Sequence, residues 1–312
     1  MHRPADYPGV EASVRTRRPS IAVIGLGSVG GVVAAALARA QVADIVACTR
    51  RPLPHLVVEM PSGAVDVALA NLTDPARAAS VDWVVLATKT FATASAAPWL
   101  AALCGPTTRV AVLQNGIDHI ARVAPLAGAA TVFPALVYFN GERTSAERVR
   151  YRSVGSDDIV VPDDPVGAAF AALFAPTFLR VVTASDFLTL AWRKLLLNAI
   201  ANPLTALVLK RNAVFARPDV QALCRVILDE AIVVARAAGA HLAQDEAAQT
   251  LATLLTYPAD AGTSMYFDRA NDRALETEAL TGAIVAAGER LAIPTPINHT
   301  LLTLLRAIDG EA

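Results

Sequence analysis

A short apolar strand, a glycine-rich turn and an alanine-rich helix follow one another near the start of the chain, and this order constrains the fold most. Residues 21–24 form a β-branched run that stops at Gly25, and a helical pattern follows over residues 32–40. Between them the glycines have the spacing Gly-x-Gly-x-x-Gly, which after a strand and before a helix is the dinucleotide-binding fingerprint. Glycine permits the tight turn at Gly25, close approach of a pyrophosphate at Gly27 and close helix packing at Gly30. We therefore predict that the cofactor-binding residues include Gly25, Leu26, Gly27, Ser28, Val29 and Gly30.

Further apolar strands alternate with helical stretches in the first half of the chain. The strand patterns cover residues 44–48, 81–87 and 110–113. Strands that are apolar along their whole length, with helices between them, indicate a parallel sheet covered on both faces. The β-type runs between residues 131 and 182 are expected to complete the same sheet.

The second half of the chain shows helical periodicity and no convincing strand pattern. Apolar residues recur at helical spacing over residues 187–201, 220–238, 244–256 and 277–291. The predicted fold is therefore α/β, with an N-terminal Rossmann-type doubly wound parallel sheet followed by an all-helical C-terminal domain. We place a loose N-terminal extension at residues 1–19, a dinucleotide-binding Rossmann domain at residues 20–184 and a helical domain at residues 185–312.

Charge and hydropathy exclude two classes of protein. With 27 basic and 28 acidic side chains the net charge is -1, whereas a general nucleic-acid binder needs an excess of Lys and Arg. The mean hydropathy of +0.44 raises the question of membrane insertion. However, the uncharged stretches at residues 19–38, 90–108 and 123–141 are each interrupted by glycine or proline. The apolar excess is better assigned to a buried helical core or to the interface of a homodimer.

The cysteines and histidines suggest neither a disulfide framework nor a metal site. Cys48, Cys104 and Cys224 are widely separated and odd in number, which fits a protein of the reducing cytoplasm. The five histidines show no metal-ligand spacing, so no metal is expected. No Gly-x-Ser-x-Gly elbow of a hydrolase is present.

The end of the second predicted strand indicates which nicotinamide cofactor the chain binds. An NAD enzyme usually places Asp or Glu there, but this strand ends in Cys48, Thr49, Arg50 and Arg51, and Asp44 lies at its other end. A guanidinium suits a 2'-phosphate through charge-assisted hydrogen bonds. The sequence thus favours NADPH and NADP+, with Arg50 as the first choice and Arg51 as the open alternative.

Polar residues follow the next two predicted strands, at the edge of the sheet where ligands collect. Lys89 is suited to a cofactor phosphate or an anionic substrate, and the Asn115 amide to the nicotinamide side of the cofactor or to the substrate. A surface lysine and a turn-forming Asn-Gly pair are the simpler alternatives.

A line of polar side chains marks the first helix of the second domain. Lys194, Asn198 and Asn202 are four residues apart, so they lie along one stripe of an otherwise apolar helix. Such a stripe needs polar partners, which a cleft against the first domain would supply, unless it is a solvated edge. Pro203 is expected to weaken the helix directly after Asn202.

A last polar cluster contains Ser264 and Glu276. Ser264 has the alternative of a helix N-cap, and Glu276 that of complementing a helix dipole at a helix start.

Together these residues resemble the ketopantoate reductase (2-dehydropantoate 2-reductase) family from Ile21 to about Leu305. The ordered set comprises the glycine turn, Thr88-Lys89, Leu113-Gln-Asn115-Gly116, Trp192-Arg-Lys194-Leu195 with Asn198 and Asn202-Pro-Leu-Thr205, Thr263-Ser264-Met265 and Glu276. The resemblance implies NADPH-dependent reduction of an α-keto acid, 2-dehydropantoate, to pantoate in pantothenate (vitamin B5) biosynthesis. It implies Lys194 as proton donor, substrate contacts at Asn115, Asn198, Asn202 and Ser264, and Lys89, Asn115 and Glu276 at the cofactor or ordering the site. Asn212 lies in a stretch that departs from the family pattern and is a further predicted substrate contact.

The chemistry of the residues supports the same reaction class. Hydride transfer to a ketone leaves an alkoxide, and a lysine whose pKa is lowered by burial is suited to protonate it. We therefore expect Lys194 and Glu276 to be the catalytic pair, with Glu276 orienting Lys194 or the ribose. Three alternatives remain open: a reductase of another branched α-keto acid, a β-hydroxyacid-type dehydrogenase, and a non-catalytic NADP-binding sensor.

Overall fold

The computed structural model describes residues 17–309. Of the predicted N-terminal extension, residues 1–16 therefore lie outside the described residues. No helix in the described part of the chain is long and apolar enough to cross a lipid bilayer.

Within residues 17–309 the chain forms thirteen strands and ten α-helices. The strands are β1 Ser20–Ile24, β2 Asp44–Cys48, β3 His55–Met60, β4 Gly63–Ala68, β5 Ala70–Leu72, β6 Trp83–Leu86, β7 Arg109–Val112, β8 Thr131–Pro134, β9 Leu136–Val137, β10 Asn140–Arg143, β11 Arg148–Arg152, β12 Ile159–Pro162 and β13 Val181–Ala184. The helices are α1 Ser28–Ala40, α2 Ala97–Leu103, α3 His119–Val123, α4 Pro165–Phe174, α5 Phe187–Val208, α6 Pro218–Ala237, α7 Glu246–Leu255, α8 Ser264–Ala270, α9 Thr281–Arg290 and α10 Pro296–Asp309.

The central sheet has six parallel strands in the order β5-β2-β1-β6-β7-β8. After their half-buried first residues, Ser20 and Arg109, strands β1 and β7 are buried on both faces, as β6 is throughout, which explains their apolar sequences. The strand order reverses between β1 and β6, and in such sheets the ligand crevice opens at the carboxyl ends of the strands at that point. The predicted Rossmann-type sheet followed by helices is confirmed.

Helix α1 lies between the central sheet and a second sheet. Its eight residues from Gly30 to Leu37 are all buried, and the strands β10, β11, β3 and β4 cover its outer side. A Cβ atom at Gly31 would lie 3.2 Å from Val149 Cγ2, so the two layers approach closely there. The small glycine and alanine side chains of this helix make the close approach possible.

The expectation that residues 131–182 complete the central sheet is wrong except for β8. The runs around Val149 form β11 of the second sheet, and β9, β12 and β13 form a third sheet of three strands. The physical reason is that α1 is apolar on every face, so its outer face requires a sheet of its own.

Six helices, α5 to α10, make up the C-terminal region, and no strand occurs in its described residues, 185–309. The sequence predicted four of them and missed the short α8 and the terminal α10. Helix α5 also runs through Pro203 to Val208 rather than weakening after Asn202. The Thr205 hydroxyl donates to the carbonyl oxygens of Ala201 (2.7 Å) and Asn202 (3.2 Å), and the residues around the proline, 199–206, are buried.

The two halves of the chain pack directly against each other. Leu136, Val160 and Ala191 share one buried cluster, so helix α5 rests on the third sheet. The remaining space between the central sheet and the helices is an open cleft.

Candidate active site

One cleft of about 2170 Å³ runs between the carboxyl ends of the central strands and helices α5, α7 and α8. Pockets for drug-sized ligands measure about 300–1,000 Å³, so this cleft has room for a dinucleotide and a second small molecule. Fourteen of the predicted site residues line it: Gly25, Leu26, Gly27, Ser28, Val29, Arg50, Lys89, Asn115, Lys194, Asn198, Asn202, Asn212, Ser264 and Glu276. The one other predicted residue, Gly30, is buried beneath the turn. The structure thus brings residues from widely separated parts of the sequence to one place.

The three glycines of the turn have different surroundings. Gly25 has φ +92°, a left-handed conformation that favours glycine, and a Cβ at Gly30 would lie 2.0 Å from the Gly25 carbonyl oxygen. A Cβ at Gly27, by contrast, would have no heavy atom within 4 Å. The turn is therefore closely packed underneath and open on the side that faces the cleft.

Arg50 and Arg51 follow β2 at the rim of the cleft. Both residues are exposed and line it. Asp44 lies at the opposite end of β2, where it pairs in register with Ser20. Arg50 and Arg51 thus lie at the carboxyl end of β2, as expected, and Asp44 lies away from the cleft.

Lys89 joins the two halves of the chain. Its Nζ lies 2.8 Å from Asp268 Oδ2 and 3.1 Å from Glu276 Oε2. The Glu276 carboxylate also accepts hydrogen bonds from Asn115 Nδ2 (2.9 Å) and the Thr90 backbone N–H (3.1 Å). Both partners of Lys89 are acidic side chains of the helical region, so its ammonium is turned toward that region.

The position of Glu276 differs from the prediction in one respect. It does not stand at a helix start, because α9 begins only at Thr281. Its carboxylate is held by Lys89, Asn115 and Thr90, and none of its hydrogen bonds within residues 17–309 goes to Lys194.

The charges of this cluster stabilise one another. Burial raises the pKa of Glu276, but the Lys89 ammonium and the hydrogen bonds from Thr90 and Asn115 outweigh it, so the pKa lies below its ordinary value. Burial likewise lowers the pKa of Lys89, yet Glu276 and Asp268 together raise it above the ordinary value. Glu276 and Lys89 therefore both stay ionised at neutral pH.

Lys194 has a different environment. Within residues 17–309 its Nζ makes neither an ion pair nor a hydrogen bond, and it lies 5.7 Å from the centroid of the Tyr138 ring. Burial lowers the pKa of Lys194 to about 8, against the attraction of the Glu276 carboxylate. Burial also raises the pKa of Tyr138 to about 12, so its hydroxyl keeps its proton. Lys194 is thus an ammonium that can release a proton near neutral pH.

The asparagines of α5 form a chain of hydrogen bonds with the start of α8. Asn202 Nδ2 donates to Asn198 Oδ1 (3.2 Å), and Asn202 Oδ1 accepts from Ser264 Oγ and the Met265 N–H (both 3.3 Å). Asn202 therefore has polar partners outside α5, and all three residues of the stripe line the cleft. The N-cap of α8 is Thr263 rather than Ser264, since the Thr263 hydroxyl accepts from the Tyr266 N–H.

Asn212 lies in a short 3-10 turn, Asn212–Ala216, at the wall of the cleft. Its Nδ2 donates to the Pro258 carbonyl at 3.3 Å, and its buried Oδ1 has no partner within the described residues. This oxygen is shielded from the open cleft, so a ligand reaches it only if the Asn212 side chain turns.

Sequence reasoning missed several residues of the site. Asp268 binds Lys89 and also receives Arg273 Nε at 3.0 Å, and its spacing of four residues from Ser264 on α8 was the available signal. Arg193 forms a bidentate pair with the buried Glu246, at 2.9 and 3.2 Å. No local pattern identifies this pair, because 53 residues separate its members in the sequence. Nor does any cluster of three or more His, Cys, Asp or Glu side chains in the described chain have a metal-binding arrangement.

Comparison with family models gives two matches that together cover most of the chain. Residues 21–164 match "Ketopantoate reductase PanE/ApbA" and residues 186–309 match "Ketopantoate reductase PanE/ApbA C terminal". The first match ends directly before α4, and the second begins at Asp186, the residue before α5.

Individual relatives agree with the family models. The chain is 40% identical to a 2-dehydropantoate 2-reductase of Caulobacter vibrioides, over 92% of this chain and 98% of the relative. The crystal structure of a PanE/ApbA family ketopantoate reductase from Ralstonia eutropha superposes with a TM-score of 0.84 at 30% identity, covering 93% of this chain and 98% of that one. A dimeric ketopantoate reductase from Staphylococcus aureus superposes with a TM-score of 0.82 at 25% identity, with the same coverage.

Proposed function

The chain belongs to the ketopantoate reductase family, and from this premise we propose that it reduces 2-dehydropantoate to pantoate with NADPH in pantothenate biosynthesis. One observation carries the proposal. Lys194, which has no ion-pair partner among residues 17–309 and a pKa of about 8, lies in the same cleft as a glycine turn that is open toward a ligand. This combination serves a reaction that needs both a dinucleotide and a proton donor.

The cleft fits a nicotinamide dinucleotide. The open side of Gly27, at the N-terminus of α1, offers backbone N–H groups and the positive end of the helix dipole to a pyrophosphate. Arg50 and Arg51 at the rim suit a 2'-phosphate. Asn115 and Glu276, farther along the cleft, would face the nicotinamide ribose, and Lys89 holds Glu276 in place.

NADPH, when bound, supplies the hydride that adds to the carbonyl carbon of the keto acid. Lys194 performs the complementary step. Its ammonium first polarises the carbonyl oxygen and then donates a proton to that oxygen as negative charge develops there. The lowered pKa brings the lysine close to the working pH, at which proton transfer is efficient.

The polar wall beside Lys194 would bind the substrate. Asn198 Nδ2 has no partner within residues 17–309, and the buried Asn212 Oδ1 is unpaired there and would accept from a substrate after its side chain turns. Asn202 and Ser264 are already hydrogen-bonded to each other, so a substrate contact by either of them must add to or replace that bond. Substrate binding by these four residues and Asn115 stays a prediction.

The test is steady-state turnover of NADPH by purified protein with 2-dehydropantoate and a panel of other branched α-keto acids. We expect the highest kcat/KM with 2-dehydropantoate. Preference for another keto acid would retain the chemistry but overturn the substrate. Cofactor binding without turnover of any keto acid or β-hydroxyacid would favour a sensor.

The pH dependence of the reduction should report Lys194. The donor must be protonated, so kcat/KM is expected to be level below the pKa of about 8 and to fall as pH rises through it. An unperturbed lysine would move this decline to about pH 10.4. Among the other described groups of the cleft, the pKa of Glu276 is lowered and that of Lys89 is raised, so neither titrates near pH 8. A profile that stays level to pH 10 would contradict the assignment.

Substitution of the rim arginines should change cofactor preference. Arg50→Ala is expected to raise the KM for NADPH about tenfold or more and to leave that for NADH nearly unchanged, because only NADPH carries the 2'-phosphate. Arg51→Ala is the matched comparison and should have the smaller effect. A larger effect at Arg51 would assign the phosphate to that residue, and no effect at either would refute NADPH recognition by this loop.

Two further predictions concern the oligomeric state of the protein and its cellular compartment. We expect a homodimer, which sedimentation would show as twice the chain mass of 32.6 kDa. The three cysteines are unpaired in the structure, which supports the expectation of a reducing, cytoplasmic setting.

A further inference from the structure

The loop that carries Arg50 and Arg51 is held at both ends by the edge strand β5. At its start, the Thr49 N–H donates to the Leu72 carbonyl at 2.9 Å. At its end, Leu53 is bound through both its N–H and its carbonyl by the side chain of Asn71. The two arginines between these ends project from a short, anchored segment.

Asn71 makes three hydrogen bonds to backbone groups. Its Oδ1 accepts from the Leu53 N–H at 2.8 Å, and its Nδ2 donates to the carbonyls of Leu53 (2.7 Å) and Leu69 (2.8 Å). The Thr49 hydroxyl lies 2.7 Å from the Arg51 carbonyl and 3.3 Å from Asn71 Oδ1. One amide thus connects the end of the loop to the strand beside it and lies next to the hydroxyl that closes the turn.

Two features indicate that the role of the Asn71 amide is to hold the loop from Thr49 to Leu53. Asparagine is disfavoured in strands, yet Asn71 occupies the middle of the three-residue strand β5. Moreover, Asn71 itself does not line the cleft, whereas Thr49, Arg50, Arg51, Pro52 and Leu53 all do. Its side chain therefore acts on a ligand only through the loop that it holds.

We propose that Asn71 is the positioning residue that sets the preference for a 2'-phosphorylated dinucleotide, by fixing the loop from Thr49 to Leu53. Holding the backbone in place lowers the entropy that the arginines lose when they bind the phosphate, since their anchor points are already ordered. The inference rests on the proposed use of NADPH and adds to it a residue outside the cleft.

Calorimetric binding of adenosine 2',5'-bisphosphate and adenosine 5'-monophosphate tests this without any turnover. In the wild type the bisphosphate should bind more tightly, because it alone carries the 2'-phosphate. In Asn71→Ala the Kd for the bisphosphate should rise about tenfold or more, as expected when charge-assisted hydrogen bonds lose their geometry. The Kd for the monophosphate should stay within about twofold, which a general loss of structure would not allow.

Two variants accompany this measurement. Thr49→Val removes the hydroxyl that binds the Arg51 carbonyl and contacts Asn71, so it should also raise the Kd for the bisphosphate. This variant tests the anchoring of the loop if Asn71→Ala does not fold. Asp74→Ala removes a side-chain bond to the Ala76 N–H just beyond β5, without touching the loop, and should leave both affinities unchanged.

The outcomes separate the inference from its premise. A wild type that binds both nucleotides equally would refute the use of NADPH and this inference with it. A wild type that prefers the bisphosphate, with Asn71→Ala and Thr49→Val proteins that keep the full preference, would refute the role of Asn71 alone. In steady-state kinetics Asn71→Ala and Thr49→Val should raise the KM for NADPH and leave kcat unchanged.

Discussion

Lys194→Ala is expected to lower kcat for keto-acid reduction by about 10²- to 10⁴-fold, the usual contribution of a positioned general acid. The reason is local: within residues 17–309, Lys194 is a cleft ammonium with no ion-pair partner, and its pKa of about 8 lets it give up a proton. Lys89 cannot replace it, because Asp268 and Glu276 bind its ammonium and raise its pKa.

Controls separate catalysis from folding in this experiment. Lys194→Met keeps the length of the side chain and removes a buried charge, so we expect its midpoint of thermal unfolding to equal or exceed that of the wild type. Both variants should bind NADPH normally, and Lys210→Ala, which changes an exposed lysine just beyond α5, should retain full activity. Loss of less than about tenfold in kcat in Lys194→Ala would assign the proton to another group.

Gly27→Ala is expected to fold but to bind NADPH weakly, whereas Gly30→Ala is expected to destabilise the fold. At Gly30 the added Cβ would lie 2.0 Å from the Gly25 carbonyl oxygen, so backbone must move, and the free energy of unfolding should fall by about 3 kcal/mol or more. At Gly27 the added methyl group meets no protein atom within 4 Å, so folding should change by no more than about 1 kcal/mol. The same methyl group would occupy the space in which a pyrophosphate approaches the turn, so the Kd for NADPH should rise at least about tenfold.

Chemical denaturation measures the free energy of unfolding of the two variants, and titration with NADPH measures their Kd. The account requires Gly27→Ala to be folded and deficient in binding, and Gly30→Ala to be destabilised. Normal NADPH affinity in Gly27→Ala would show that the dinucleotide does not lie over this turn.

The sequence predicted the parts of the fold that depend on local pattern. Strand β1, the glycine turn and helix α1 were identified because apolar periodicity and glycine spacing are local signals. The second and third sheets were not, because β3 pairs with β11 across about ninety residues and no local pattern encodes such a partner. Pro203 was expected to weaken the helix because proline breaks helices locally, whereas tertiary packing buries residues 199–206 and α5 continues to Val208.

For the site, the sequence predicted which residues meet but not how they pair. Residue types after the strands and along α5 were sufficient to place Lys89, Asn115 and Lys194 in one cleft. The ion pairs of Lys89 with Asp268 and Glu276 depend on contacts across 179 and 187 residues, which a single sequence does not reveal. Only the folded structure shows that Lys89 forms ion pairs, whereas Lys194 forms none within residues 17–309.

The most direct test of the proposed reaction follows one hydride. Wild-type protein is incubated with 2-dehydropantoate and NADPH that carries deuterium on the transferred position of C4 of the nicotinamide, and the product is analysed by mass spectrometry. The account predicts pantoate with the deuterium at C2, at a yield that falls with Lys194→Ala. Unlabelled pantoate, or no pantoate while the protein binds NADPH, would contradict it.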